Sequence, residues 1–434
     1  MDRARLRWGA AIVAAVIVAE AAVVLLRPRN GVIEPAQISS ESYFSDSQVQ
    51  RAREYRGPQL AIYGGVLALE VGVLVLLVVR PPRRLQGPFK RPLLAAAGAG
   101  AALSVAVAIA VLPLQAVARE RAKDIGLVTQ SWSGYARDKA VSGAIGAILA
   151  GLGAATAVGL MRRMPNGWWA PGTVLVVAFG VASIYAGPVV LDPLFNTFKP
   201  LPAGQVRDDV LALAERAGVD VGEVYSVDAS RRTSAANAYV AGLGKTKRVV
   251  LYDTLLENFE RDEVRLVVAH ELAHVHHRDV PNGLLYLAIV TPFGLFAVAQ
   301  LTRRLAPDGQ PGPAALPALA LSLLVMTTTI TTISNQLSRD VEARADSYAL
   351  TLTGQAAPFI SFEKRIALRN LSDPDPPRWQ TFLLATHPPT IERIGIGVAY
   401  GRRQGAASPE AITRRRSAAD RCRCRCRCRT RAGS

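Results

Sequence analysis

Seven long apolar runs constrain the fold of this 434-residue chain more than any other feature of its sequence. Half of the residues are hydrophobic, and they are clustered rather than spread evenly. A run of about 20 apolar residues has the length of a helix that crosses a bilayer. Arginine, proline or tryptophan residues flank the runs, as expected where a spanning helix meets the membrane interface. The runs are residues 8–26, 60–79, 93–114, 141–160, 169–191, 283–301 and 314–333.

The first run follows three arginines, as the apolar core of a secretory signal peptide does. No small-residue cleavage site follows it convincingly, so we expect it to remain as a membrane anchor. The sequence thus predicts a mostly α-helical, multi-pass protein of the cell membrane with about seven transmembrane helices. Its predicted regions are a five-span membrane region (1–191), a first polar region (192–279), a transmembrane hairpin (280–334), a second polar region (335–400) and a disordered tail (401–434).

The net charge of +17 does not indicate a nucleic-acid partner, because the positive charge is concentrated in the tail. Residues 401–434 hold eleven arginines against two acidic residues, and they also hold all four cysteines, in the run RCRCRCRCR. Cysteines this close together do not form ordinary structural disulfides with one another. A soft-metal site is one interpretation of this run, and a solvated, disordered basic segment is the favoured one.

The polar regions show a mixed helix and strand pattern. QVRDDVLALAERAGV has helical spacing, whereas GEVYSVDAS and TKRVVLYDTL have the composition of short strands. DEVRLVVAHELAHVHH is long enough for a helix, and Pro281 follows it as the sixth span begins. SNQLSRDVEARADSYALTLT is rich in helix formers and ends at Gly354, which is a plausible helix cap. We therefore expect helices to carry most of the polar residues, together with a small β element.

Four of the five histidines lie within eight positions, in VVAHELAHVHHRD. On a helix, His270 and His274 lie one turn apart on the same face, and Glu271 lies beside them. This HExxH pattern places two imidazoles to hold Zn²⁺ and a carboxylate to take a proton from water. The pattern alone is only moderately specific, because it also occurs on charged surface helices.

A catalytic zinc site needs a third protein ligand, and the histidines and cysteines are nearly exhausted in the body of the chain. The segment SRDVEARAD offers Glu342 as that ligand. Asp346, four residues further on, lies on the same helical face and is placed to orient a ligating imidazole. Arg339 and Arg344 suggest an alternative, in which both carboxylates belong to an ion-paired surface helix.

Taken together, VLDPLFNTFKPLP, SAANAYVAGLGKTKRVVLYDTLL, HELAH, SRDVEARAD and THPPTIERI resemble a known family over residues 185–397. It is the family of membrane zinc metalloendopeptidases that includes the type I CAAX prenyl endoproteases and the HtpX-like quality-control proteases. The number of spans resembles the CAAX branch, whereas VHHRD after HELAH is closer to the HtpX-like pattern.

The resemblance implies a gluzincin-like zinc site, one Zn²⁺ per chain, and roles for particular residues. It implies zinc ligands at His270, His274 and Glu342, and a general base at Glu271. It also implies that Asp346 supports a ligand and that His387 and Arg393 help to bind or polarise the substrate. The implied substrate-binding strand contains Asn237, Ala238 and Tyr239, although asparagine also fits a turn at this position.

Two other classes of protein also fit part of the sequence. A catalytically silent membrane scaffold or transporter would hold zinc for structure, but such a site normally has a fourth Cys or His ligand. A site-2 type protease would take an aspartate from a DG pair, but Asp308-Gly309 lies in a proline-rich link between spans six and seven. His277 lies near the metal face, yet a polar interfacial role is favoured for it.

The partners expected from the sequence are the lipid bilayer and a peptide or membrane-protein substrate. The resemblance suggests either C-terminal CAAX processing or membrane-protein degradation, without deciding between them. The basic loop from Arg80 to Arg91 favours an external catalytic part by the positive-inside rule. The resemblance and the cysteine-containing tail favour a cytoplasmic one, which is the orientation we expect.

Overall fold

Seven of the described helices are long and apolar enough to cross a membrane, as the sequence predicts. The computed structural model describes residues 3–87, 89–242, 247–306 and 312–405. The predicted disordered tail begins at residue 401, but a helix continues to Arg403, and the rest of the tail from residue 406, with its cysteines, lies outside the described residues. The Asp308-Gly309 pair also lies outside them. The seven helices are α1 (Arg3–Leu26), α2 (Asp46–Val79), α3 (Pro92–Asp124), α4 (Trp132–Arg163), α5 (Trp169–Val190), α10 (Asp279–Leu305) and α11 (Leu316–Thr353).

Several of these helices are longer than a bilayer requires. Helix α2 has 34 residues, so at 1.5 Å per residue it is about 51 Å long, against about 30 Å for the hydrocarbon core. A capping box between Ser45 and Gln48 fixes its polar first turn. Further along this polar portion, the Arg56 guanidinium donates hydrogen bonds to the carbonyl oxygens of Asn370 and Leu371. The second membrane helix is thereby joined to the polar part of the molecule.

Helices α3 and α4 pack closely because small residues face each other. A side-chain carbon at Gly100 would lie 2.4 Å from the Ala154 methyl group and 2.7 Å from the carbonyl oxygen of Ala150. Small residues permit such close backbone approach in lipid, where van der Waals packing replaces the hydrophobic effect between helices. Helix α1 packs instead against α10 and α11, the two helices that flank the polar site.

The polar regions form one small four-stranded sheet with helices against it. The strands are β1 (Phe198–Pro200), β2 (Glu223–Val227), β3 (Ala238–Ala241) and β4 (Arg248–Tyr252), arranged in the order β1-β2-β4-β3. Strand β2 runs parallel to β4, and β3 runs antiparallel to β4 with Tyr239 opposite Val250. The predicted strands are therefore confirmed. Strand β3 lies at an edge of the described sheet.

Seven further helices complete the described fold and surround this sheet. They are α6 (Asp192–Phe195), α7 (Gln205–Arg216), α8 (Asp253–Asn258), α9 (Arg261–His276), α12 (Ala356–Arg369), α13 (Arg378–Leu384) and α14 (Thr390–Arg403). Helix α9 buries one apolar side against the sheet and against α7, through Val268, Ala269 and Leu272. The opposite side of α9 packs against α11, and His270 and His274 lie on that side.

Helix α11 joins the membrane to the polar site without a break. It has 38 residues and continues through residue 334, where the sequence suggests a boundary between the hairpin and the second polar region. It ends at Gly354, whose φ of 73° is the left-handed conformation that glycine adopts readily, so the predicted cap is confirmed. The seventh membrane helix therefore carries Glu342 and Asp346 on the same rigid element as its apolar portion.

Candidate metal centre

Helix α9 holds the two histidines of the HExxH pattern one turn apart. A capping box fixes its start, in which the Glu260 backbone N–H donates to Glu263 Oε2 at 2.9 Å. The buried Glu263 also accepts hydrogen bonds from Ser361 and Arg365 of α12. At the other end of the helix, Nε2 of His270 and Nε2 of His274 are 3.3 Å apart. The sequence pattern thus becomes a pair of converging ring nitrogens.

Glu342 of α11 brings a carboxylate to the same point. Its Oε2 lies 3.1 Å from Nε2 of His270, and its Oε1 lies 3.8 Å from Nε2 of His274. A tetrahedral zinc ion with ligand bonds of about 2.0–2.1 Å places its ligand atoms about 3.3 Å apart. Among the described residues, these three form the group of donors compact enough to hold a metal ion. Their spacing and their nitrogen and oxygen donors fit Zn²⁺.

Two carboxylates fix the orientation of the imidazoles. Nδ1 of His270 is 2.8 Å from Asp346 Oδ1, and Nδ1 of His274 is 2.9 Å from Asp279 Oδ2. Each carboxylate accepts a hydrogen bond from the Nδ1–H group, so the lone pair of each neutral ring is on Nε2 and is directed toward the shared point. The contact from Asp346 is the one expected from the sequence. The sequence pattern alone assigns no role to Asp279, which follows directly after HHR in the same segment.

Arg393 pairs with the carboxylate that orients His270. Its Nε and Nη2 donate to Asp346 at 2.7 Å and 2.6 Å, and its Nη1 lies 3.0 Å from Glu363 Oε2. Although burial acts in the opposite direction, these two carboxylates raise the pKa of Arg393. The guanidinium is therefore a fixed positive charge with its donors already engaged. This geometry supports a positioning role for Arg393, through Asp346, and the substrate-binding or polarising role that the resemblance implies for it stays a prediction.

Glu363 is a buried member of the site that the sequence did not reveal. Its side chain is only 1% exposed, and burial raises its pKa to about 7, against the opposing effect of Arg393. Glu363 lies on α12 in the segment FEKR, which has no recognisable motif spacing. Its contact with Arg393 depends on how α12 packs against α14, so no local sequence signal indicates it.

Glu271 lies beside the three candidate ligands without joining them. It lines a pocket of about 490 Å³ together with His270 and His387. Burial raises the pKa of the Glu271 carboxyl. A general base works best when its pKa lies near the working pH, so this shift favours proton transfer.

His387 reaches the site from the loop before α14. Its Nε2 lies 3.3 Å from Glu342 Oε2, and its Nδ1 lies 3.0 Å from the hydroxyl of Thr386. The side chain is 56% exposed, so its ring remains accessible from the pocket mouth. Burial of part of the group lowers the pKa of His387, although Glu342 acts in the opposite direction. The structure therefore brings His387 to the candidate metal ligands, although in the sequence it lies 45 residues after Glu342 and more than a hundred residues after His270 and His274.

The three residues of the candidate substrate strand have different environments. Asn237 is exposed and lines the pocket, and its Oδ1 accepts a hydrogen bond from the Ala238 backbone N–H at 2.9 Å. Ala238 is buried in the core, and the Tyr239 hydroxyl donates to Asp192 Oδ2 at 3.0 Å. Asn237 thus lies at the end of the loop that leads into the edge strand β3.

The remaining histidines of the motif lie away from the three donors. Nδ1 of His276 is 2.9 Å from the carbonyl oxygen of Ala217, and the His277 ring packs edge-on against Tyr348. Burial lowers the pKa of His277, with the neighbouring Arg344 adding to the effect. Neither residue belongs to the compact donor group of the described chain. The polar interfacial role that the sequence favours for His277 stays a prediction.

Similarity to known proteins extends over both the polar site and the membrane helices. A model of peptidase family M48 matches residues 200–395. The chain is 31% identical over 291 residues to a protein of Bacillus subtilis (strain 168) named "Uncharacterized metalloprotease YhfN", an alignment that covers 65% of this chain and 68% of that protein. It is 30% identical over 230 residues to a "CAAX prenyl protease 1 homolog" of Oryza sativa subsp. japonica, which covers 51% of this chain and 53% of the relative.

A solved structure has the same fold. The crystal structure of S. mikatae Ste24p superposes with a TM-score of 0.72, covering 92% of this chain and 99% of that chain at 19% identity. At this identity the likeness concerns the fold, including the arrangement of the long helices around the polar site. The family match across the polar site and the alignment with the Bacillus metalloprotease lead to one conclusion: this chain belongs to peptidase family M48, a family of metalloproteases.

Proposed function

We propose that this protein is a zinc-dependent membrane endopeptidase. The observation that carries the proposal is the convergence of His270 Nε2, His274 Nε2 and the Glu342 carboxylate at separations of 3.1–3.8 Å, beside a carboxylate outside that group. Three protein ligands with an open fourth position are typical of catalytic rather than structural zinc sites. The family membership supports the same assignment.

Each residue near the metal site has a distinct task in peptide hydrolysis. When bound, Zn²⁺ supplies Lewis acidity, which polarises a carbonyl group and lowers the pKa of water. Glu271 accepts a proton from the attacking water and delivers it to the leaving amine. His387 donates a hydrogen bond from Nε2 to the oxygen that gains negative charge. Arg393 fixes the Asp346 carboxylate through hydrogen bonds, and Asp346 in turn hydrogen-bonds to His270 and keeps it in the ligating orientation.

The edge strand β3 would present the substrate to this site. Its outer edge is not paired within the described sheet, and the loop that leads into it lines the pocket beside Glu271. An extended peptide binds such an edge through main-chain hydrogen bonds, which are independent of its sequence. Asn237, Ala238 and Tyr239 would therefore fix the peptide backbone, whereas the pocket would receive a side chain.

Two substrate classes are compatible with the relatives. The name of the rice relative supports cleavage of C-terminal CAAX-type sequences. The HtpX-like spacing after HELAH supports degradation of membrane proteins. We place the catalytic part on the cytoplasmic side, in agreement with the reducing environment suited to four tail cysteines. Reporter fusions at Gly405 and in the loop at Gln86 would locate these two positions on one or the other side of the membrane.

The decisive experiment compares the parent with Glu271→Gln, both purified in detergent. The substitution leaves both imidazoles and Glu342 in place, so zinc content should stay near one per chain. Cleavage of peptides should fall by about 10²–10⁴-fold, the range that a positioned proton acceptor contributes. A chelator-treated sample gives the metal-free background. If a zinc-loaded parent cleaves soluble, transmembrane and prenylated peptides no faster than Glu271→Gln, the protein is a zinc-binding scaffold instead.

A further inference from the structure

The chain that leads into the substrate strand β3, residues 232–237, belongs to no helix or strand. Four of its residues line the pocket beside Glu271, namely Thr233, Ala235, Ala236 and Asn237. On the side of the polar regions, Arg369 of α12 donates a hydrogen bond to the carbonyl oxygen of Ser234 at 2.7 Å. A segment outside regular secondary structure keeps one conformation only where other elements hold it. The contacts of residues 232–237 therefore determine the shape of the pocket on this side.

The loop between membrane helices α3 and α4, residues 125–131, lies directly against this segment. Val128 pairs with Thr233 as in an antiparallel ladder, and the neighbouring backbone groups form two hydrogen bonds of 3.1 Å. Side-chain hydroxyls add hydrogen bonds of 2.6–2.9 Å to carbonyl oxygens across the contact. Their donors are Thr129, Thr233 and Ser234. A membrane loop thus holds the backbone that lines the pocket.

A partly buried ion pair joins the same segment to helix α4. Nε and Nη2 of Arg232 donate to the two carboxylate oxygens of Asp138 at 2.7 Å and 3.3 Å, and the two side chains are only 20% and 18% exposed. Gln130 also donates to Asp138, and Asn196 accepts a hydrogen bond from Arg232 Nη1. A bidentate pair fixes the orientation of its partners as well as their distance. The position of residues 232–237 therefore depends on the position of α4.

The α3–α4 hairpin is a rigid support for these contacts. Gly100 and Ala154 let the backbones of the two helices approach closely within the membrane. Near the loop, the guanidinium of Arg119 lies 4.2 Å from the ring centre of Trp132 and also donates to the carbonyl oxygen of Gln130. The Arg119 side chain is buried in this contact. The loop is thereby fixed to both helices of the hairpin.

We propose that Asp138 and Arg232 are positioning residues for substrate binding, through which the α3–α4 hairpin keeps residues 232–237 in the conformation that receives the peptide. Neither side chain lines the pocket, so both act through the backbone that they hold. This role rests on the endopeptidase function and assigns part of substrate binding to a membrane hairpin. A segment that adopts the binding conformation for only about a tenth of the time binds its ligand about 10-fold more weakly.

The kinetic test is Asp138→Asn, which removes the charge and keeps the size of the side chain. KM for a cleaved peptide should rise by about 10-fold, while kcat changes by less than about 2-fold and zinc content stays near one per chain. A role in stability alone would lower the unfolding temperature and the active fraction without changing KM. Asp209→Asn is the matched control, because it breaks a bidentate pair with Arg261 that lies outside the pocket lining. An unchanged KM in Asp138→Asn, or a joint loss of zinc and activity, would overturn the proposal.

Arg232→Gln and the double variant test whether the two residues act as a pair. Each single variant should raise KM by about 10-fold, and the double variant should show about the same factor rather than about 100-fold, since one interaction is lost in all three. Arg232→Lys keeps the charge without the bidentate geometry, so a smaller rise in KM is expected. This milder variant replaces Arg232→Gln if the latter folds poorly. Effects that multiply in the double variant would show that the residues act independently, contrary to the proposal.

A binding measurement separates this proposal from the endopeptidase proposal. The protein is zinc-loaded Glu271→Gln, and the probe is a fluorescein-labelled peptide that spans the mapped cleavage site, or labelled unfolded casein if the parent cleaves nothing. Fluorescence anisotropy should show about 10-fold weaker binding when Asp138→Asn is added. If binding weakens in this way while the parent cleaves nothing, the endopeptidase proposal fails and the positioning role stands.

The opposite result is equally distinct. If the parent cleaves its peptide and Asp138→Asn changes neither KM nor the affinity measured by anisotropy, only the positioning role fails. Absence of binding to zinc-loaded Glu271→Gln would contradict both proposals.

Discussion

Asp279 is the first residue of the sixth membrane helix, and its Oδ2 atom lies 2.9 Å from Nδ1 of the candidate zinc ligand His274. The same carboxylate also pairs with Arg344 of the seventh membrane helix. Two membrane helices thus converge on a single imidazole through one carboxylate. The orientation of His274 therefore depends on how the membrane hairpin is placed against helix α9.

Asp279→Asn should weaken zinc binding by about 10–100-fold while the fold is retained, because the loss of a carboxylate that orients a ligand has this effect in other zinc sites. Competition with a chelator of known affinity measures the change, and circular dichroism checks the helix content. Asp262→Asn, at an exposed position of α9, is the control. Equal zinc affinity in Asp279→Asn and the parent would show that the contact has no role in binding.

Glu342→Gln and Asp346→Asn should affect the metal to different degrees. Glu342→Gln removes an anionic ligand, so we expect most of the zinc to be lost on dialysis. Asp346→Asn should retain zinc at saturating concentration but weaken its binding by about 10–100-fold, since the orientation of His270 is impaired. Metal analysis of the purified proteins measures both changes. Full zinc occupancy in dialysed Glu342→Gln would mean that the third ligand is another residue, with Asp308 and His277 as the next candidates.

His387→Ala should keep the metal and lose activity. The ring contacts Glu342 only through Nε2 at 3.3 Å and lies outside the compact donor group of the described residues. If His387 donates to the developing oxyanion, kcat should fall by about 10²–10³-fold with zinc content unchanged. His276→Ala provides a matched control, because that histidine bonds to Ala217 away from the pocket. A parallel loss of zinc and activity in His387→Ala would indicate a structural or ligand role.

Glu363 should make the stability of the protein depend on pH. Burial raises its pKa to about 7, so the folded state retains a proton that the unfolded state releases at lower pH. Stability should therefore decrease as the pH rises from the ordinary carboxyl pKa through about 7, since the folded state then binds more protons than the unfolded state. Thermal unfolding at several values between about pH 5 and pH 8 should show a smaller decrease for Glu363→Gln. Parallel curves for the two proteins would contradict the assignment.

The sequence by itself determined the features that depend on local length, composition and spacing. Seven apolar runs of about 20 residues predict seven spanning helices, because the thickness of the bilayer sets that length. The interval of four between His270 and His274 places both rings on one helical face wherever the helix lies. The sequence predicts Glu342 as a ligand because zinc needs a third donor and few other histidines or cysteines are present in the body of the chain. Asp346 followed from the same helical spacing.

The tertiary structure alone decided which residues meet across different elements. Asp279 and Glu363 carry no motif of their own, and their contacts with His274 and Arg393 arise where α10 meets α9 and where α12 meets α14. The pairing of Arg393 with Asp346 likewise arises where α14 meets α11. Helical spacing fixes the direction of a side chain relative to its own helix axis. The partner that it reaches depends on how the helices pack, which is determined by contacts between residues far apart in the sequence.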